Sequence, residues 1–66
     1  MLRNRIKKTR YGMMLKQTEF AELIGVDSSQ VSRWEKQYSQ PGLESLWKIS
    51  KKLNISINDL LEEVPE

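Results

Sequence analysis

The sequence predicts an all-α domain of five short helices. Three observations carry that expectation. Apolar residues recur at spacings of three and four, and nowhere is there the apolar–polar alternation over about 4–8 residues that marks a strand. Helix-stopping residues fall between the apolar clusters: Gly25, the pair Pro41 and Gly42, Asn54 and Pro65. The resulting segments are too short and too tightly joined for long antiparallel rods, so they must share one compact core.

In the first helix Leu2, Ile6 and Met13 are expected to share the inward face, with most basic residues on the others and Gly12 near its end. The second places Phe20, Leu23 and Ile24 inward and stops at Gly25, the residue type that best tolerates the left-handed turn after a helix. The third starts at Asp27, a good N-cap, with Gln30 at the capping-box position and Val31 and Trp34 as its inward pair. Residues 36–42 are polar and end in Pro-Gly, which is a loop. The fourth helix follows Gly42 and carries Leu43, Leu46, Trp47, Ile49 and Leu53, ending at Asn54. The fifth opens on Ser56, with Asp59 completing a capping box, and carries Ile57, Leu60 and Leu61.

Sixty-six residues make one domain, 1–66, with a small core. There is no Cys and no His, which removes disulfides, thiolate metal sites, the commonest general base and the commonest metal ligand together. A domain this small has little room to enclose a substrate pocket of roughly 300 Å³ or more. An enzyme is not expected, and neither is a metal or cofactor. No run approaches about 18 apolar residues, so no membrane span is expected. The basic N-terminus is not followed by the apolar run of a signal peptide, and the expected location is cytoplasmic.

Charge is polarised along the chain. The net value is only +2, but residues 1–16 carry Arg3, Arg5, Lys7, Lys8, Arg10 and Lys16 with no acid, whereas residues 59–66 carry Asp59, Glu62, Glu63 and Glu66 with no base. The second and third helices are separated only by Gly25, Val26 and Asp27. So short a turn containing Gly sets two helices at a steep angle, the helix-turn-helix arrangement. Ala21 is small where the helices cross, Gly25 follows four residues later, and Val31 lies inward on the third helix.

These residues carry a resemblance. The run Q-T-E-F-A-E-L-I-G-V-D-S-S-Q-V-S-R-W-E-K, Gln17 to Lys36, resembles the helix-turn-helix of the lambda-repressor-like family, which includes phage repressors, Cro proteins and small bacterial regulators of the XRE type. The likeness continues through P-G-L-E-S-L-W-K-I-S-K-K-L-N-I-S-I-N-D-L-L, Pro41 to Leu61, and covers roughly residues 3–61. It implies a compact five-helix DNA-binding domain with its helix-turn-helix at 17–36. The implied function is a sequence-specific transcriptional regulator of bacterial or phage type. The implied mode is a homodimeric repressor on a palindromic operator, with the third helix, about 28–36, in the major groove of double-stranded DNA.

On that reading the base-reading candidates are Ser28, Ser29, Gln30, Ser32 and Arg33. Arg33 is the strongest, because its fork can bond guanine O6 and N7 together. For Gln30 a capping role is an equally good account. Phosphate-binding candidates are Arg10, Lys16 and Gln17, with Lys36, Gln37, Tyr38 and Ser39 after the third helix. Lys16 departs from the family pattern, standing where Ser or Thr usually caps. The resemblance also implies an ion pair between Arg10 and Glu35 and a dimer surface at Leu43, Trp47, Ile57 and Leu61. The competing reading is an antitoxin-type autorepressor that also binds a partner protein. A purely protein-binding module is opposed by Arg33 and the acid-free first sixteen residues.

Overall fold

The computed structural model describes residues 1–65. Its elements are β1 (Leu2–Asn4), α1 (Ile6–Gly12), α2 (Gln17–Ile24), α3 (Ser28–Glu35), α4 (Leu43–Leu53), a 3₁₀ turn (Ile57–Leu60) and β2 (Leu61–Glu63). There are thus four α-helices among the described residues, not five, and a small sheet that sequence periodicity did not predict. The strands pair antiparallel, with Leu2 opposite Glu63, Arg3 opposite Glu62 and Asn4 opposite Leu61. Three residues are too few to display an alternation, and each strand exists only because its partner arrives from the other end of the chain.

The sheet also explains the lost fifth helix. Ser56 and Asp59 do form the expected capping box, Oγ of Ser56 accepting from the Asp59 N–H at 3.2 Å and the Asp59 carboxylate accepting from the Ser56 N–H at 3.3 Å. The turn then stops after four residues, because Leu61 goes extended to pair with β1 and the Leu60 carbonyl accepts from the Arg5 N–H at 2.7 Å. At the other end Leu2, expected inward on the first helix, lies on β1 and is exposed, and Met13 is the exposed C-cap of α1. Only Ile6 of that expected trio is buried.

The core is Ile6, Phe20, Ala21, Ile24, Val31, Trp34, Ile49 and Leu60, with Leu15, Val26, Leu46, Leu53 and Ile55 packed around it. Leu23, expected inward, is exposed on the far side of α2. Between α2 and α3 Gly25 adopts φ 79°, and the N–H groups of Gly25 and Val26 both donate to the Ala21 carbonyl. Asn54 ends α4 in the same left-handed region at φ 55°. Asp27 occupies the N-cap position of α3, but its side chain makes no capping bond, so the Asp27–Gln30 box is not formed.

Among the described residues, two polar residues are buried as a whole, and both hold the helix-turn-helix in place. Asn4 is one. Its Nδ2 donates to the Trp34 carbonyl at 2.8 Å and to Gln40 Oε1 at 2.8 Å, and its Oδ1 accepts from the Ile6 N–H at 3.1 Å. Gln37 completes the clamp: its Oε1 accepts from the Asn4 N–H and its Nε2 donates to the Asn4 carbonyl. The end of α3 and the loop beyond it are therefore stitched to β1.

Arg10 is the other. Its Nε donates to Glu35 Oε2 at 2.6 Å and its Nη2 to Glu35 Oε1 at 2.9 Å, a two-pronged pair joining α1 to the last residue of α3. Nη1 donates to the Leu15 carbonyl at 2.8 Å, which fixes the α1–α2 connection as well. The hydrogen bond to Glu35 is the main reason the Arg10 pKa is raised above its ordinary value. For Glu35, burial is the largest single influence and pushes its pKa up. The hydrogen bonds from Arg10 and Gln17, with the charges of Arg10 and Lys7, outweigh it and hold the carboxyl below 4.5.

Breaking a buried ion pair by removing one partner costs about 3–5 kcal/mol, and a domain of this size has only about 3–10 kcal/mol of stability to lose. Arg10→Ala and Glu35→Ala should therefore each remove about a third or more of the stability at 25 °C, and the double variant should lose less than the sum, as measured by urea denaturation. Because the folded Glu35 binds its proton less readily than the unfolded one, stability from the pair is complete above about pH 4.5 and is lost as pH falls through the lower folded value. Glu35→Gln should flatten that acid limb of the melting-temperature profile. Asn4→Ala strands the Ile6 N–H and takes one of two donors from the Trp34 carbonyl, which keeps the Gln37 N–H, and should cost about 1–3 kcal/mol, with a melting temperature lower by roughly 4–8 °C for each kcal/mol.

Candidate nucleic-acid interface

The α3 helix is eight residues long and buries Val31 and Trp34. At 3.6 residues per turn this leaves Ser29, Ser32 and Arg33 on the opposite side, with Ser28 and Gln30 flanking them. Ser29, Gln30 and Arg33 are exposed, while Ser28 and Ser32 are half-buried. With no capping box formed, the Gln30 side chain is not engaged at the helix start. The five base-reading candidates thus lie together on the solvent side of one helix. Only Arg33 among them carries charge, and it stands near the middle of that side.

The N-terminus of α2 lies beside this face. Lys16 is its N-cap, extended and exposed, and its own N–H donates to the Glu19 carboxylate at 2.8 Å. Only that half of a capping box is made, since a lysine ammonium has no lone pair with which to accept. Gln17 Nε2 donates to Glu35 Oε1 at 3.0 Å, so α2 joins the same knot that holds α1 to α3. An amide nitrogen has a second hydrogen, which leaves Gln17 one donor for an acceptor outside the protein. The Arg10 guanidinium is 8% exposed and three of its donors are used internally, so only its edge faces out.

After α3 the candidates divide. Lys36 and Tyr38 are exposed, with the ammonium 5.8 Å from the ring centre. Gln37 turns back through a positive φ of 63° and its amide is engaged by Asn4 and Gln40. Ser39 Oγ is shielded from solvent with no hydrogen-bond partner. Leu43 and Trp47, one turn apart on α4, are 79% and 55% exposed, whereas Ile57 and Leu61 are half-buried. Trp47 also lines a groove of about 490 Å³ with Leu23 and Ile24, and its ring faces Lys51 at 5.9 Å.

Sequence reading missed Asn4 as the residue that seats the α3–α4 loop. It also passed over Tyr11, whose exposed ring lies under both Arg10 and Lys7, at 4.7 and 5.7 Å. The Lys7–Tyr11 spacing of four on a helix could have signalled the second. Nothing local signals Asn4, whose partners Trp34, Gln37 and Gln40 lie 30 or more residues away. Among the described residues, no group of three or more His, Cys, Asp or Glu is placed to hold a metal, and no helix is long and apolar enough to cross a membrane.

Known proteins share this architecture. A solved structure from Bacteroides fragilis, of a protein provisionally assigned to DNA binding, superposes with a TM-score of 0.84 at 32% identity, covering 94% of this chain and all of the other. The HTH-type transcriptional activator BcrR of Enterococcus faecalis is 35% identical over 57 residues, which is 86% of this chain and 28% of the relative. This chain therefore spans little more than a quarter of that protein's length. A family model described as helix-turn-helix matches residues 6–60, from the start of α1 to the end of the 3₁₀ turn. With the Arg10–Glu35 pair and the α2–α3 turn inside that match, the chain belongs to the lambda-repressor-like helix-turn-helix family of DNA-binding regulators, which is not a class of enzymes.

Proposed function

We propose that this chain is a sequence-specific regulator that binds double-stranded DNA with α3 in the major groove. The observation that supports it best is the outward side of α3, where Ser29, Gln30 and Arg33 are exposed while α1 and α2 are tied to the end of that helix through Glu35. A rigid face with one forked cation and short polar neighbours suits base edges, since a bidentate arginine–guanine contact discriminates by about 1–3 kcal/mol. Arg33 takes the base-specific role. Ser28, Ser29, Gln30 and Ser32 contact bases or bridge to them through water.

Phosphate contacts fix the position of α3. Lys16 and Gln17, at the α2 N-terminus, meet one strand, where outward N–H groups favour an anion. Lys36 and Tyr38 meet the backbone on the other side of the groove. Arg10 contributes through the edge it leaves exposed. Gln37 acts from within, by holding the loop through Asn4 and Gln40.

The chain works as a homodimer on an operator with two-fold symmetry, through the apolar ridge of Leu43 and Trp47 flanked by Ile57 and Leu61. Two large apolar side chains left open on one helix of so small a domain support this assignment. Repression follows from occupying a promoter. Activation is the second reading, favoured by the activator function that BcrR bears in its name.

Retention of fragments from the source genome near physiological salt, followed by footprinting, tests the central reading. The expected result is a protected site with half-sites about one helical turn apart; retention no better than for random fragments would refute it. On that site Arg33→Ala should relax preference at one base pair per half-site, whereas Lys36→Ala should weaken all sequences alike and lower the salt slope by about one per half-site. Trp47→Ala should shift the protein toward monomer in sedimentation and lower its affinity for the symmetric site more than for a single half-site.

A further inference from the structure

A second basic surface lies outside the family-type contacts. Where β1 meets α1, a groove of about 350 Å³ is lined by Arg3, Arg5, Lys7, Lys8 and the ring of Tyr11. Two carboxylates also face it, Glu35 and Glu62. Glu35 is already neutralised by its two-pronged bond to Arg10, and Glu62 lies 3.9 Å from Arg5 Nε and opposite Arg3 in the sheet. That leaves Lys7 and Lys8, both exposed and on the first turn of α1, without a carboxylate partner at ion-pair distance among the described residues.

The groove is continuous with the proposed DNA face. Glu35, in its wall, is the last residue of α3 and bonds Gln17 at the start of α2. The Tyr11 ring, in the groove lining, has Arg10 of that knot 4.7 Å and Lys7 of the groove 5.7 Å from its centre. A DNA strand seated on the α2 N-terminus passes Arg10 and next reaches Lys7, one helical turn further along α1.

The geometry points to a flanking phosphodiester site: Lys7 and Lys8, with Arg3 and Tyr11 beside them, grip the DNA backbone beyond the base-reading half-site. This rests on the DNA-binding reading above and extends its footprint. The ligand is the sugar–phosphate backbone, contacted without sequence preference, so the site adds affinity and salt dependence rather than discrimination. It assigns a role to the acid-free start of the chain that the helix-turn-helix alone leaves unused.

The test is a salt titration of binding to a 30-base-pair duplex, with the wild type, Lys7→Gln/Lys8→Gln and Lys51→Gln/Lys52→Gln. The last pair removes the same charge from the groove beside Trp47 and so controls for net charge. The expected result is a slope of log affinity against log salt that falls by roughly two per bound protomer, and so by roughly four for the dimer, in the Lys7/Lys8 variant and much less in the control, with unchanged melting curves. Bound wild type with an unaltered slope in the Lys7/Lys8 variant overturns the flanking site and leaves the major-groove reading intact. Equal falls in both variants overturn it too, as an effect of overall charge. Wild type that binds no duplex at all overturns the DNA reading itself, and the flanking site with it.

Discussion

The bond between Arg10 and Glu35 is the constraint on which the rest of this molecule depends. One carboxylate, almost fully covered, receives both prongs of a guanidinium from α1 and the amide of Gln17 from α2, while itself closing α3. The third branch of Arg10 holds the Leu15 carbonyl in the connection between α1 and α2. Three helices are thus fixed by a single charged knot. Charge burial is expensive and is repaid only when the remaining donors find partners; here most of them do. An apolar contact in the same place would stabilise as well, but would not fix direction and distance. A recognition helix needs both.

A domain of this size buries too little surface to rely on apolar packing alone. Eight side chains form the core, and only Trp34 and Phe20 among them are aromatic. The remaining order comes from directed polar bonds between distant parts of the chain. Asn4 joins β1 to Trp34, Gln37 and Gln40, so the loop after α3 is held from the N-terminal side. The two-stranded sheet joins the chain ends and brings Leu60 over the core. The bonds of Asn4 and Arg10 converge on the C-terminal end of α3, at Trp34 and Glu35.

Charge is arranged along the same division. The basic residues of the first sixteen positions fall on β1, α1 and the start of α2, around the knot and beside the proposed DNA face. Of the acidic residues of the last segment, Asp59 falls on the 3₁₀ turn and Glu62 and Glu63 on β2, while Glu66 lies outside the described residues. Cross-strand pairing of Arg3 with Glu62 takes up part of that opposition, while Lys7, Lys8 and Lys16 remain exposed. The apolar ridge of Leu43 and Trp47 lies on α4, an element that contributes nothing to the base-reading side.

How much was legible in the sequence divides by the range of the interaction. Apolar spacing, Gly25, Asn54 and the Ser56–Asp59 box determined four helices, the α2–α3 turn and the stops, because each depends on residues within one turn of one another. Arg10 and Glu35 were paired only through the family resemblance, since nothing local links positions 25 apart. The outward side of α3 followed from Val31 and Trp34 being inward. Only the tertiary structure decided the sheet, the 3₁₀ turn in place of a fifth helix, the exposure of Leu2 and Leu23, and the engagement of Gln37 by Asn4. For the sheet, the turn, Leu2 and Gln37 the deciding hydrogen bond comes from a distant part of the chain, and three residues of strand or a single amide carry no periodic signal. Local spacing specified which segments become helices; the closing of the chain ends on one another specified which polar side chains remain free to meet DNA.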